Sequence, residues 1–337
     1  MTNELSTNLT LSELGAIADH FASASVFTDY QRELASNTRA RHKLDLRHFE
    51  QYLDQKGVSV ASLYDDAQAW HGITWGLVSG FQKWMLQRGD AIGSINTRVT
   101  TVRKYAELAF MAGALTEQQY RTIHAVHNIR KKAAINIDKE RPKRRMNTRK
   151  EQAPRLSKAD RRRLKDDHAD NDQGARDELL MCLLLDHGLR VSEIVDLAVG
   201  NIDLASGTMT FYRQKVQLTT THRLSADTLG SLNNYKARGL MLDDPAEPLM
   251  YKSQKGGNRT TNHVTRNGLT KRVRYLANRI LGIPNLACHD CRHSWATEYA
   301  KDHTVLELQE AGGWASLTMP RRYVEMLKIA HDGKVMD

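Results

Sequence analysis

The stretch CHDCRHSWAT, Cys288 to Thr297, packs two cysteines and two histidines into six residues. Those residue types could ligate zinc, or its His-x-x-Arg could act on a phosphodiester. A helix advances about 100° per residue, so Cys288 and Cys291 would lie about 60° apart while His289 and His293 point elsewhere. One helix cannot turn all four side chains onto a single tetrahedral ion. No second Cys-x-x-Cys or His-x-x-x-His occurs elsewhere, and Cys182 is isolated. No metal site is expected, and the cysteines read as small buried apolar residues. His289 and Arg292 differ: three residues apart, they share a helical face and can address one point.

Such a pair is commonplace until its company is counted. GLRVSEI (188–194) sets Arg190 after a helix end, with Glu193 three positions on. GGWAS (312–316) precedes Tyr323 by a short interval, and Lys215 lies between the two arginines in the chain. This order of arginine, lysine, His-x-x-Arg, tryptophan and tyrosine resembles the tyrosine recombinase, or phage integrase, family. Length and motif spacing look nearest to its Cre-like and Xer-like simple site-specific recombinases. The family's GLRxSEL box stands here as GLRVSEI, its HxLRH-(T/S)-x-A-T box as HDCRHSWAT, and its last box as GGWAS followed by Tyr323.

The resemblance implies roles. Arg190 and Arg292 would clamp the phosphate, and Glu193 would support them. His289 would transfer a proton, and Trp314, where many members carry a second histidine, would touch the phosphate. Lys215, in a hairpin turn, would be the general acid and Tyr323 the nucleophile. It further implies a homotetramer on two short inverted-repeat sites in double-stranded DNA, with neither metal nor other cofactor. Departures exist: Cys291 replaces a leucine, and Met319 and Pro320 replace threonines before the tyrosine. The turn Arg213-Gln-Lys-Val-Gln lacks the usual glycine, which leaves Arg213 a rival to Lys215.

The chemistry asks for these types. A phenoxide that attacks phosphorus keeps the bond energy in a 3′-phosphotyrosyl link and releases a 5′-hydroxyl, which can later reverse the step. A free phenol has a pKa of about 10, so about one in a thousand is ionised at neutral pH. The tyrosine therefore needs a base or a cationic site. Arginine forks match the equatorial oxygens of the five-coordinate transition state, and the alkoxide leaving group needs the proton that Lys215 could deliver.

The elements that must position these groups are mainly helical. Ser36 or Asn37 can cap a helix running to about Gln55, with Leu46, Phe49 and Leu53 on one stripe and Arg39, Lys43 and Arg47 on another. A second helix follows Ser94 or Asn96, with Val99, Val102 and Ala106 inward and Arg98, Arg103 and Lys104 outward. Ser157 and Asp160 form a capping box. A helix from about Arg176 to Asp186 ends at Gly188, and Val191 begins another. Residues 208–212 and 219–224, rich in Thr and aromatics, read as a β-hairpin, and helices resume from about Asn262.

The fold expected is mainly α with a small antiparallel β-sheet. An N-terminal extension, 1–25, precedes a helical core-binding (SAM-like) DNA-binding domain, 26–135. A basic linker, 136–155, leads to the catalytic domain, 156–337, whose C-terminal tail could dock on a neighbour. The linker carries Lys143, Arg144 and Arg145 and almost nothing apolar, so it should stay solvated until a polyanion neutralises it. Across 337 residues the formal charge is +10, which favours an anionic partner, nucleic acid ahead of a membrane. Three cysteines and no signal-like or membrane-length apolar run point to a cytoplasmic protein, nucleoid-associated when bound. Two other readings use the same scaffold: a non-catalytic sequence-specific regulator, and a type IB topoisomerase-like relaxing enzyme.

Overall fold

The computed structural model describes residues 10–140, 154, 156–253 and 259–327. The chain divides into two compact units, Met1–Arg149 and Lys150–Asp337, and the division falls within the basic stretch 136–155. Lys143, Arg144 and Arg145 lie outside the described residues.

The first unit is helical: α1 (Leu11–Glu33), α2 (Ser36–Asp54), α3 (Trp75–Gln87), α4 (Ile92–Met111), α5 (Glu117–His124) and α6 (Lys131–Glu140). Helix α1 occupies much of the expected extension, because Thr10 and Glu13 close a capping box on its first turn. Helix α6 likewise reaches into the expected linker. Helix α2 starts on Ala35, which offers no side-chain cap, so Ser36 and Asn37 sit inside it. Asn96 is also interior to its helix; its amide instead pins the Ile129 backbone at 3.0 and 2.8 Å. Leu46, Phe49 and Leu53 of α2 meet Val99, Val102 and Ala106 of α4 in a core completed by Trp70 and Phe81.

In the second unit follow α7 (Lys158–Asp166), α8 (Asp172–Leu185), α9 (Val191–Val195), β1 (Ile202–Asp203), β2 (Thr208–Arg213), β3 (Leu218–Arg223) and α10 (Ala226–Ala237). Then come β4 (Tyr251–Ser253), β5 (Arg259–His263), α11 (Arg266–Leu281), α12 (Cys288–Tyr299), α13 (Val305–Gly312) and α14 (Thr318–Leu327). Ser157 and Asp160 do cap α7. The expected hairpin is β2 and β3, antiparallel with Arg213 opposite Leu218, and β1 extends it to three strands. A second hairpin, β4 with β5, covers Asn262, where helix was expected; helix resumes at Arg266. The apolar α8 runs through the core, its residues Leu179 to Leu185 all buried, with Cys288 and Cys291 in the same cluster.

Candidate active site

Chain segments far apart in sequence meet at one place in the second unit. Helix α8 stops at Leu185, and Gly188 then takes φ +60°, a conformation costly for any side chain. A Cβ there would also lie 2.1 Å from the Trp295 ring. The turn delivers Arg190 to the start of α9, where Glu193 accepts from the Arg190 backbone N–H at 2.8 Å and from its Nη1 at 2.7 Å. Helix α12 opens with the Asp290 carboxylate accepting from the Ala287 N–H at 2.8 Å, which orients the following turn. Cys288 and Cys291 thus face the core and Arg292 faces Gly188, whose carbonyl accepts from Arg292 Nη1 at 2.6 Å.

Helix α13 is capped by Gly313, which has φ +58°, and the carbonyls at this terminus collect three guanidinium groups. Arg190 Nη2 donates to Gly313 at 2.8 Å, Arg213 to Gly312 at 2.8 Å and to Ala311 at 2.7 Å, and Arg292 Nη2 to Gly312. Helix C-termini carry partial negative charge, which suits this gathering of cations. Glu193 is the buried carboxylate that meets them, bonded to Arg190 and 3.5 Å from Arg213. Burial, then the neighbouring Arg190, pulls Arg292 down to about 9; burial also lowers Arg213 to about 10. Both remain charged at neutral pH. Three cations facing one carboxylate make an anion-seeking centre.

Trp314 lays its ring 4.4 Å from the Arg292 guanidinium and 5.8 Å from the Tyr323 ring. Helix α14, with Pro320 tolerated in its first turn, carries Tyr323 inward to 5 % exposure. The Tyr323 hydroxyl is hydrogen-bonded to Nδ1 of His293. Burial raises the Tyr323 phenol above its ordinary range, against the pull of Arg292 and Arg322. Burial and Arg292 together hold His293 below the usual imidazole range despite Asp290. His289 packs edge-on against His293, centroids 4.3 Å apart, and is lowered by desolvation, then by His293 and Arg292.

Of the residues singled out in the sequence, Arg190, Glu193, His289, Arg292, Trp314 and Tyr323 therefore share this centre. Lys215 is exposed in the β2–β3 turn, whereas Arg213, in the last strand pair before that turn, is wholly buried. Helical spacing alone assigns His293 no role; it stands within the HDCRHSWAT box, and only the packing of α12 against α14 marks it.

The expected basic stripes fare unevenly. Arg39, Lys43 and Arg47 are exposed on α2, with Lys43 over the Tyr64 ring and 3.8 Å from Asp65. Arg98 and Arg103, expected to face outward, do not. Arg98 pairs with Asp90 at 3.1 Å, and Arg103 turns toward the Val126 carbonyl at 3.5 Å, because both sit at the margin of the aromatic core. Lys104 pairs with Glu107 at 3.2 Å. A basic face not expected from the sequence lies on α11, where Arg266, Lys271 and Arg274 are exposed along with Tyr275.

The second unit thus brings arginines, imidazoles and a tyrosine from separate segments to one anion-seeking point. Residues 146–328 match the phage integrase family, and the chain belongs to it. Tyrosine recombinase XerC of Herpetosiphon aurantiacus is 23% identical over 303 residues, 88% of this chain and 87% of that protein. In fold, the chain is similar to the Tn1549 transposon integrase in complex with transposon right-end DNA, with TM-score 0.59 and 15% identity over 89% of this chain and 94% of that one. It is also similar to a lambda integrase tetramer bound to a Holliday junction, with TM-score 0.57 and 15% identity over 94% and 84% of the two chains.

Proposed function

We propose that this chain is a site-specific DNA recombinase that cuts and rejoins strands through Tyr323. The observation that carries the reading is the convergence of Arg190, Arg292, Trp314 and the Tyr323 hydroxyl from four separate segments. The phenol oxygen attacks the phosphorus, the phosphorus–O5′ bond breaks, and a 3′-phosphotyrosyl link and a 5′-hydroxyl result. The phenol's proton passes to the imidazole pair, His293 in direct contact and His289 beside it. Arg190 and Arg292 hold the non-bridging oxygens as charge develops on them, and Trp314 packs the centre and presents its indole N–H. Lys215, on the exposed turn, protonates the leaving O5′. Attack by a 5′-hydroxyl from a partner strand reverses these steps, so neither ATP nor metal is required.

The basic faces of α2 and α11 bear on the DNA backbone, and Lys143, Arg144 and Arg145 add phosphate contacts. Exchange between two duplexes needs four cleavages, so four protomers act on two short inverted-repeat sites; the lambda integrase tetramer on a junction supports that stoichiometry by likeness of fold.

The test is a nicked duplex selected from a randomised pool by binding to the wild-type protein. A covalent adduct should survive a denaturing gel with wild type and vanish with Tyr323→Phe. Binding without an adduct would leave a regulator; supercoil relaxation without exchange between two sites would indicate a relaxing enzyme instead.

A further inference from the structure

Arg213 has a fully buried guanidinium on a strand whose turn carries the exposed Lys215. Its donors are committed in two directions. Toward the hairpin, Nε donates to Thr220 Oγ1 at 3.1 Å and Nη2 to Nε2 of His222 at 3.1 Å. Toward the α13 terminus, Nη1 and Nη2 donate to the carbonyls of Gly312 and Ala311, and Nη1 lies 3.5 Å from Glu193. The group stacks over the Phe211 ring at 4.8 Å, which fixes its plane.

Its partners are the pieces that carry the phosphate clamp. Gly312 also accepts from Arg292, Gly313 accepts from Arg190, and Glu193 orients Arg190. Trp314 follows immediately, folded so closely over Gly312 that a Cβ there would fall 1.7 Å from its ring. Gly313 is hemmed in by Arg213 itself: a Cβ would lie 2.4 Å from Arg213 Cδ.

We propose that Arg213 is a positioning residue that sets the Arg190–Arg292–Trp314 clamp by seating the α13 terminus on the β2–β3 hairpin. It neither touches the substrate nor delivers the leaving-group proton. Its buried donors are occupied, and no open face is left from which to reach O5′. A guanidinium suits the task because one planar group addresses two consecutive carbonyls, a hydroxyl and an imidazole at fixed angles, which a lysine ammonium cannot do. The idea rests on the recombinase reading above, and its test separates the two.

Arg213→Ala and the milder Thr220→Val, which removes one of the two hairpin-side bonds, are compared with wild type in single-turnover adduct formation on the pool-selected nicked duplex. Melting temperature and duplex affinity are measured alongside. Three versions of that duplex are used at the mapped scissile position: the ordinary phosphodiester, a 5′-bridging phosphorothiolate, and a methylphosphonate. A thiolate leaves without a proton donor, so the sulfur substrate relieves any loss of general acid. A methylphosphonate lacks the negative oxygen, so it relieves a misplaced clamp.

Arg213→Ala should slow adduct formation about 10²-fold on the phosphodiester, and Thr220→Val several-fold. The Arg213→Ala deficit should persist on the phosphorothiolate and shrink at least about tenfold on the methylphosphonate. Three results overturn the proposal: no deficit, relief on the phosphorothiolate (Arg213 would then be the acid), or the same deficit on all three substrates (a role in stability alone). Thr220→Val keeps the test decisive if Arg213→Ala does not fold. A wild-type protein that binds but forms no adduct would instead sink the recombinase reading itself.

Discussion

The Tyr323 hydroxyl is hydrogen-bonded to Nδ1 of His293, a residue thirty positions earlier in the chain. The pair has a consequence for pH. Burial favours the neutral form of both groups, so at rest a neutral phenol is hydrogen-bonded to an uncharged imidazole. Asp290, Arg292 and His289 surround that imidazole, and burial with Arg292 outweighs Asp290. Neutral His293 can accept the phenol's proton; protonated His293 cannot. Adduct formation should therefore hold through neutral pH and fall only as pH drops through a His293 pKa below the ordinary imidazole value of about 6.5. His293→Gln should lose about 10²-fold in rate, the lower range for general base catalysis, and should keep rising with pH where wild type is level. A level profile in the variant, or an unchanged rate, would remove His293 from the proton path.

Arg292 donates to two carbonyls from two different nitrogens while its face meets Trp314. A lysine has one nitrogen and no plane. Arg292→Lys should preserve net charge and duplex affinity within a few-fold yet reduce adduct formation by about 10²–10³, the usual cost of one preorganised donor. Arg190→Lys should behave alike, because Glu193 keeps the backbone N–H bond at position 190 but loses the guanidinium one. Adduct assays at saturating protein separate this from weakened binding.

Much of this centre was legible because its boxes are local. GLRVSEI and HDCRHSWAT each confine their reactive groups within a turn or two, and helix spacing then decides which can face one point. The Thr-rich hairpin and the Ser157 capping box were legible for the same reason. What escaped depends on tertiary contact. The meeting of His293 with Tyr323 arises only when α14 packs on α12, and Arg98 looks available until Asp90, eight residues earlier, folds back upon it. The β4–β5 hairpin has a three-residue strand and a register shift, so it leaves no period to read. Arg213 and Lys215 differ by two positions in a hairpin, and strand burial sends one inward while the turn leaves the other in solvent.

Gly313 combines φ +58° with the Arg213 side chain at 2.4 Å from where a Cβ would stand. An alanine must take on left-handed strain of about 1–2 kcal/mol and push against a side chain already bonded on several sides. Gly313→Ala should lower stability by about 2–4 kcal/mol in denaturant unfolding, since the strain and the overpacking add. Gly207, also at positive φ but with nothing near its Cβ position, is the control: alanine there should show the conformational part alone. Equal losses at the two positions would mean that the Arg213 contact contributes nothing.

Exposed cations on α2 and α11 that meet phosphates add to DNA affinity through counterion release, which fixes what their removal must look like. Arg39, Lys43 and Arg47 lie on one face, and Arg266, Lys271 and Arg274 on the other helix. Removing one cation that neutralises a phosphate should flatten the plot of log affinity against log salt by about 0.9. Lys271→Ala with Arg274→Ala should therefore reduce that slope by about 1.8 and weaken binding most at low salt, for specific and non-specific duplexes alike. Arg98→Ala makes the contrast. Its charge is engaged by Asp90, so its loss should cost folding stability and leave the salt slope unchanged. A lowered slope for Arg98→Ala, or an unchanged one for the α11 pair, would require the DNA face to be redrawn around α4.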